Sequence, residues 1–290
     1  MEVITLIKHL NGDFETVEYS ENHFIILYDN DDDEDYPVHW HNAVEIIMPL
    51  QNGFTVCANE TVYELKERDI IIIPPGELHS LKSPHQGRRI IFQCDDSVLG
   101  KNSALSCVTT VLSSVLFIHS GSDEDIQNFS KKIMFRIYDE YFKKSELSEV
   151  KIYLSLLSLL VKIRENQISQ HKNMLNCTPE KLIEYDTRFG TVLKYIDKNY
   201  MYDITLDKLA DIAGYSKYHF SRIFKQYNEM SYIQYINKIR TNAAQTLLLD
   251  PNISITEVAM RSGFSSITSF NRAFKEVKHC TPTEFKKFYK

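Results

Sequence analysis

The sequence predicts an α+β protein with an N-terminal β-barrel, a helical segment after it, and a C-terminal all-α domain with two helix-turn-helix motifs. Short runs rich in Ile and Val, separated by turn residues, occupy the first 95 positions. Two long stretches with helical periodicity follow, and the last hundred residues contain an internal repeat. This order predicts a strand-rich domain with two helices over residues 1–167, a linker over 168–186 and a helical domain over 187–290.

Five apolar runs predict the strands of a sandwich or small barrel. They are FIILY (24–28), VEIIM (44–48), FTVCA (54–58), TVYEL (61–65) and DIIIIPP (69–75). The acidic run DNDDDEDY (29–36) is expected to be a solvated loop. A calcium loop is the alternative interpretation, but the glycine and the final glutamate of an EF-hand are missing.

Residues Asp123 to Lys144 and Ser148 to Gln167 predict two helices. The second is apolar on nearly every face at its centre, so more than one side must be covered. One face is expected to pack on the barrel. The other face is buried either within the monomer or against a second copy of the chain, and the second alternative makes a homodimer the expected assembly. Residues 168–186 have no sustained period and contain Thr178-Pro179, which is typical of a linker.

The C-terminal repeat consists of ITLDKLADIAGYSKYHFSRIFK (204–225) and ISITEVAMRSGFSSITSFNRAFK (253–275). Each copy predicts a short helix, a tight turn at Gly214 or Gly263, and a second helix. Thr205 and Ser254 stand at the N-cap positions, and Glu257 is placed to complete a capping box. The predicted buried residues are Phe220, Ile223 and Phe224 in the first copy and Phe270, Ala273 and Phe274 in the second. In this helix-turn-helix pattern the second helix enters the DNA major groove.

The polar side of each second helix is the predicted DNA-contacting surface. Arginine can bind guanine with two hydrogen bonds, asparagine can bind adenine, and lysine at a helix end can reach phosphate. Residues 186–290 carry 16 Lys and Arg against 10 Asp and Glu, while the whole chain has a net charge of −6. Double-stranded DNA is therefore the expected partner. The predicted contacts are Lys217, Tyr218, His219, Ser221, Arg222 and Lys225 in one helix, and Thr268, Ser269, Asn271, Arg272 and Lys275 in the other.

Between the two copies, Ser231 to Leu249 predicts a connecting helix about 27 Å long. A rigid connector of that length could hold two recognition helices roughly one DNA turn, ~34 Å, apart. These features resemble the DNA-binding domain of the AraC/XylS family of bacterial regulators, over about Phe189 to Tyr289 and most densely in GFSSITSFNRAFKEVKHCTPTEFKK (263–287).

The resemblance implies that both recognition helices contact bases, through Tyr218, His219, Ser221 and Arg222 in the first and Thr268, Ser269, Asn271 and Arg272 in the second. It also makes RNA polymerase an expected partner. Glu229 and His279 stand where the family usually has glycine, so Asn228 is expected to take the left-handed turn after the first recognition helix.

The strand-rich half contains His39-Trp40-His41-x3-Glu45 and, later, His79. Alternation places His39 and His41 on one face of a strand. The set resembles cupin barrel motifs, which bind a divalent metal in cupin enzymes. Three interpretations remain open: a metal-free small-molecule pocket, which we favour, a metal site, and structural histidines. Trp40 is either part of the pocket, stacked on a sugar ring, or a core residue.

These observations favour a transcriptional regulator controlled by a small-molecule effector, expected to be a sugar because similar barrels in this family often sense one. The alternatives are a metal-dependent cupin enzyme with a DNA-binding tail and a DNA-binding scaffold that senses nothing. No Ser/His/Asp arrangement, Walker loop or dinucleotide fingerprint is present, so neither an enzyme nor a cofactor is expected. With no signal-peptide pattern, no long apolar run and five scattered cysteines, we expect a cytoplasmic protein without membrane spans.

Overall fold

A computed structural model describes residues 10–11, 13–20, 23–58, 61–95, Leu99, Leu105, Val108, 110–175, 179–228, 230–278 and 280–287. The chain divides into two compact units, Met1–Asn166 and Gln167–Lys290. The first unit contains the β-structure and the second is helical, which confirms the predicted fold class. The boundary falls one residue before the predicted end of the first domain. Over the described part of the chain, no helix combines the length and apolarity that crossing a bilayer requires.

Two antiparallel sheets form most of the first unit, beside a small hairpin of β1 and β2. One has the order β11-β8-β5-β10-β3 and the other β4-β9-β6-β7. All five predicted strands are present, together with β4, β9, β10 and β11. The strands are β1 (Leu10–Asn11), β2 (Phe14–Glu15), β3 (Ile25–Asn30), β4 (Tyr36–His39), β5 (Ala43–Gln51), β6 (Phe54–Ala58), β7 (Thr61–Leu65), β8 (Ile70–Ile73), β9 (His79–Lys82), β10 (Arg88–Asp95) and β11 (Leu116–Ile118).

The five-stranded sheet is buried on both faces, which explains its continuous apolar runs. Ile47, Ile71 and Ile91 point between the two sheets and pack with Val56 and Leu81 of the four-stranded sheet. Their neighbours Ile46, Ile70, Ile72 and Ile90 point the other way and form a second cluster with the helices that follow the sheets. Strand alternation thus divides the unit into a barrel interior and a sheet–helix layer.

The acidic loop is solvated only in part: residues 33–35 are exposed, as predicted, but the solvated-loop expectation is wrong for Asp29 and Asp32. Asp29 accepts two hydrogen bonds from Arg88, at 2.8 and 2.6 Å. Asp32 accepts one from Arg89 at 2.7 Å. The Arg89 side chain is buried, with its guanidinium 4.5 Å from the centre of the Phe54 ring. The acidic run therefore neutralises two arginines at the start of β10, a long-range pairing that the local composition does not reveal.

Two long helices follow the sheets in the described part of the chain: α1 (Glu124–Lys143) and α2 (Ser148–Leu175), after a short 3-10 helix at Thr110–Ser113. Asp123 caps α1 and accepts from the backbone N–H groups of Asp125 and Ile126, while Lys144 takes the left-handed conformation after it. Helix α2 continues well past its predicted end. Its buried side joins the sheet–helix layer. Its other side exposes a stripe of large apolar residues, comprising Leu147 just before the helix and Val150, Leu154 and Val161 within it.

Seven further helices lie in the described part of the second unit, and most of the predicted linker is helical. Residues 168–175 extend α2, and Pro179 starts the next helix at the first position, where its missing N–H has no intrahelical partner to lose. The helices are α3 (Pro179–Asn199), α4 (Leu206–Ala213), α5 (Lys217–Asn228), α6 (Tyr232–Leu248), α7 (Ile255–Arg261), α8 (Ile267–Lys278) and α9 (Pro282–Lys287). The connecting helix α6 packs against α5, α7, α8 and α9.

The helix ends confirm most of the predicted caps. Thr205 and Ser254 accept from backbone N–H groups three residues later, at 3.2 and 3.1 Å. Gly214 and Gly263 have positive φ, 67° and 87°. The predicted capping box at Ser254 is wrong, because the Glu257 carboxylate instead forms an ion pair with the following Arg261 at 2.5 Å.

The predicted left-handed turn at Asn228 is also wrong. This residue ends α5 in helical conformation, and its side-chain amide donates to the Phe224 carbonyl at 3.1 Å. Glu229 and His279, which stand at the family's glycine positions, lie outside the described residues.

Candidate functional site

Helices α5 and α8 present the predicted DNA-contacting surfaces, and each is anchored by aromatic residues. Phe220 and Phe224 of α5 are fully buried, as are Phe270 and Phe274 of α8. All six predicted buried positions of the two helices are in the core. Ser216 and Ser266 cap the two helices in the same way, each accepting from the backbone N–H three residues later. The repeated sequence therefore folds into a repeated structure.

The polar faces of both helices are accessible. Lys217, Tyr218, Arg222 and Lys225 are exposed on α5, and Tyr218 is 81% exposed. Thr268, Asn271, Arg272 and Lys275 are exposed on α8. His219, Ser221 and Ser269 are half-buried. Within the described ranges, no ion pair holds Arg222 or Arg272, so both guanidinium groups are available to a ligand.

Three of the predicted contacts have intramolecular partners. Lys217 forms an ion pair with Asp207 of α4 at 2.5 Å, so its ammonium group is partly neutralised. The Ser269 hydroxyl donates to the Ser266 carbonyl at 2.8 Å. The His219 ring lies edge-on to the Tyr215 ring, with centroids 4.8 Å apart. These contacts orient the first turn of each recognition helix, which sequence periodicity alone does not reveal.

An arginine supports the turn of each motif from outside it. Arg188 of α3 donates to the carbonyls of Ala213 and Gly214, and its guanidinium lies over the Tyr215 ring. Arg240 of α6 donates to the carbonyls of Tyr200 and Tyr202 at 2.7 and 2.8 Å. Its guanidinium also lies 5.8 Å from the centre of the Phe264 ring. Sequence reasoning missed both arginines, because they lie outside the repeated segments.

The barrel interior brings together four of the five residues predicted for the ligand. The β4–β9 register places His39 opposite His79. His41 follows β4, and its Nε2 lies 2.8 Å from Glu45 Oε2 on β5. Glu45 Oε1 lies 3.9 Å from His79 Nε2. Each of the four side chains has about 1% exposure, so the cluster is closed to solvent.

Two residues that the sequence did not suggest join this cluster. Gln93 lies opposite Glu45 in the β10–β5 register, and its amide donates to Glu45 Oε2 at 2.8 Å. Glu15 of β2 has an oxygen 3.5 Å from His39 Nε2. The backbone bonds of the β2 segment to Trp40, at 2.9 and 2.8 Å, hold Glu15 there. No motif signals Glu15, because its position depends on this long-range pairing.

Trp40 is a core residue in the structure. Its side chain is 4% exposed, and its ring packs on Phe14 with centroids 4.6 Å apart. Alternation along the strand turns it away from the side shared by His39 and His41. This supports the core interpretation of Trp40 over sugar stacking.

Burial and charge pairing set the protonation of the cluster. Burial disfavours the Glu45 carboxylate, but the hydrogen bond with His41 and the nearby imidazoles outweigh it and lower the pKa of Glu45 to about 2. Burial lowers the pKa of His79 to about 4 and also lowers that of His39. Burial also disfavours the protonated form of His41, but the hydrogen bond and negative charge of Glu45 outweigh burial and raise the His41 pKa. For Glu15, burial raises the pKa to about 7.

A separate cavity of about 410 Å³ lies in the first unit beside the α1–α2 turn. Its polar lining includes Ser20, His23, Tyr141, Lys144 and Glu149. His23 Nδ1 lies 2.7 Å from Glu149 Oε2, so an imidazole and a carboxylate are held together at this opening. The cavity offers hydrogen-bonding groups to a small polar molecule, which the closed cluster does not.

Comparison with known proteins finds two sequence families along the chain. Residues 22–92 match an AraC-like ligand binding domain, and residues 209–287 match a helix-turn-helix domain. An uncharacterised HTH-type transcriptional regulator of Staphylococcus aureus (strain COL) is 26% identical over 249 residues, which cover 82% of this chain and 31% of that protein.

The bifunctional transcriptional activator/DNA repair enzyme AdaA of Bacillus subtilis (strain 168) is 34% identical over 99 residues, covering 34% of this chain and 47% of that protein. The chain therefore spans less than half the length of both curated relatives. Among solved structures, ToxT from Vibrio cholerae O395 has a TM-score of 0.44 and 13% identity, and the match covers 92% of this chain and 96% of ToxT.

Proposed function

Because the chain belongs to the AraC/XylS family of transcriptional regulators, with an N-terminal sensor domain, we propose that it binds specific DNA sequences through α5 and α8 under the control of a small-molecule effector. The observation that carries the proposal is the equivalence of the two helices. Each buries an aromatic pair and exposes an arginine at the same position, Arg222 in one and Arg272 in the other. A single exposed arginine is ordinary, whereas two at matched positions favour paired base contacts.

Selection from random duplexes tests the DNA-binding proposal. The full chain selects its preferred sequence, and gel-shift titrations then compare Arg222→Ala, Arg272→Ala and the wild type on that duplex. Loss of a bidentate guanine contact costs ~1–3 kcal/mol, or about 5- to 150-fold in affinity. Lys194→Ala removes an exposed cation of α3 and is the charge-matched control. Unchanged sequence-specific binding by both arginine variants would refute the assignment.

The effector is proposed to be a sugar or related polar metabolite. The cluster of His39, His41, Glu45 and His79 is closed to solvent, whereas the cavity beside the α1–α2 turn presents open polar groups. We therefore assign the effector to the cavity. In a thermal-shift screen, a cognate sugar at 100 times its dissociation constant adds ~2.7 kcal/mol of stability. Glu149→Gln is expected to weaken that response; an equal response in this variant would contradict the cavity assignment.

A homodimer through α2 is also part of the proposal. Leu147, Val150, Leu154 and Val161 follow one another at spacings of three, four and seven residues along one exposed side, and a second copy would bury them. Leu154→Glu should shift sedimentation of the full chain toward the monomer. Val62→Glu changes an equally exposed apolar residue of β7 and is the control. Identical sedimentation of wild type and Leu154→Glu would contradict this interface. RNA polymerase as a partner remains a prediction from the family resemblance, and a cytoplasmic location remains a prediction from the sequence pattern.

A metal-dependent enzyme is the second candidate, because the histidine cluster has the donor groups that such an enzyme needs. Burial argues against it: the side chains of His41 and Glu45 are 1% and 2% exposed, so a substrate could not reach them in this conformation. We therefore propose a regulator without catalytic activity. A metal at the cluster is compatible with either function.

A further inference from the structure

We infer that the barrel holds a divalent transition-metal ion, with His39, His41, His79 and Glu45 as ligands and Glu15 as a fifth. This goes beyond the proposed function, because sequence-specific DNA binding and an effector in the cavity require no metal. The sequence favoured a metal-free pocket at these positions, and the geometry of the side chains reverses that preference.

The three imidazoles are oriented as metal ligands are. Nδ1 of His39, His41 and His79 lies 2.9, 3.1 and 2.8 Å from the backbone carbonyls of residues 37, 43 and 77. In His39 and His79, an Nδ1–H that donates to a carbonyl leaves the Nε2 lone pair for an ion, the usual outer-shell arrangement of metal-binding histidines. Nε2 of His41 is hydrogen-bonded to Glu45 Oε2 and would exchange that partner for the ion. One ligand nitrogen from each ring lies within 4.8 Å of the other two. For metal–nitrogen bonds of about 2.0–2.1 Å, the rings would need to close by about an ångström.

Several buried atoms of the cluster lack hydrogen-bond partners. They are His79 Nε2, Glu45 Oε1 and Glu15 Oε2, each without a partner among the described residues. Buried polar atoms are normally satisfied, so three such atoms facing one small volume indicate a ligand. A cation would contact all three at once. It would also compensate the two carboxylates, Glu15 and Glu45, which otherwise share an interior with low polarity.

The donor set selects the class of ion. Three imidazoles with one or two carboxylates suit Fe²⁺, Co²⁺, Ni²⁺ or Zn²⁺, whereas Ca²⁺ and Mg²⁺ prefer shells of oxygen atoms. The set contains no thiolate, which disfavours Cu⁺. Because Glu15 belongs to β2 and the other ligands to the sheets, the ion would also fasten the β1–β2 hairpin to the barrel.

The test uses the full chain, stripped with a chelator and titrated with Co²⁺ and Zn²⁺ in the absence of DNA. We expect one ion per chain by elemental analysis and visible absorption bands of bound Co²⁺. Loss of an outer-shell partner already weakens binding by about 10- to 100-fold, so His79→Gln should weaken it by about 100-fold or more. Glu15→Gln should weaken it by about 10-fold on the same scale. His85→Gln, which changes an exposed histidine paired with Asp33, should bind as the wild type does.

Circular dichroism identifies any variant that fails to fold. X-ray absorption of the Zn²⁺-loaded wild type then provides a test without substitution, since three histidines give a recognisable imidazole pattern. Absence of stoichiometric binding, a shell without imidazole, or equal affinity of wild type and folded His79→Gln would overturn the site. Equal affinity of Glu15→Gln would remove Glu15 from the shell. Because DNA is absent, failure here is distinguishable from failure of the DNA-binding proposal.

Discussion

Replacing each of three glycines of the second unit by alanine should change the stability of that unit by three different amounts. Gly190 lies in α3, and a Cβ added there would meet nothing within 4 Å. Gly214 has φ +67°, and its Cβ would meet only the flexible end of Arg188. Gly263 has φ +87°, and its Cβ would lie 2.5 Å from the Tyr200 carbonyl oxygen and 2.7 Å from Met201 Cα. These last contacts are with backbone atoms, which cannot move aside cheaply.

The magnitudes follow from these surroundings. Gly190→Ala should stabilise the helix by about 0.5–1 kcal/mol, since alanine is the better helix former. Gly214→Ala should cost about 1–2 kcal/mol for the left-handed conformation. Gly263→Ala adds a backbone clash to the same conformational cost and should reach about 3 kcal/mol or more.

Hydrogen exchange of the full chain is the appropriate assay, because a protein with two units need not unfold in one step. Amides of residues 254–287 should lose protection in Gly263→Ala and keep it in Gly190→Ala. Circular dichroism should show that the barrel unit remains folded in each variant. Protection in Gly263→Ala equal to or greater than that in Gly214→Ala would refute this explanation of the second turn.

Two further predictions concern charged groups. Arg89→Ala should cost about 2–3 kcal/mol in denaturant unfolding, because it empties the buried site of that guanidinium beside Phe54 and leaves Asp32 without its cation. In the control Arg88→Ala the lost guanidinium is half exposed, so the cost should stay under about 1 kcal/mol, and equal costs would contradict the burial argument. Burial raises the pKa of Asp197 to about 6, so this carboxyl group stays protonated in the native state at pH values where the unfolded chain has already lost the proton. The free energy of unfolding therefore falls as the pH rises from about 4 to 6. Asp197→Asn should therefore gain up to about 2 kcal/mol at pH 8 and nothing below about pH 4, and a pH-independent difference would contradict this assignment.

The spacing of apolar residues in the sequence predicted the elements whose buried side chains recur at regular intervals. The aromatic residues of α5 and α8 recur at three- and four-residue spacings, and both motifs formed where the repeat indicated. The limits of α1 were predicted to within one residue at each end from its apolar period, although Asp123, predicted as its first residue, is its N-cap.

Features that depend on long-range pairing could not be predicted in this way. Glu15 reaches the cluster because β2 bonds to Trp40, and the acidic loop is ordered by arginines more than fifty residues away. The predicted linker formed helix because a segment without an apolar period can still have helical propensity. Strand β4 was missed because four residues carry too little periodicity to separate from a loop.

The proposed function depends most on the two recognition helices reading one duplex together. Hydroxyl-radical and methylation-interference footprints on the selected DNA test this directly. We expect two protected major-groove segments on one face, about 10–10.5 base pairs apart, with Arg222→Ala losing guanine interference in one segment and Arg272→Ala in the other. A single protected segment, or two segments affected equally by both substitutions, would contradict paired recognition.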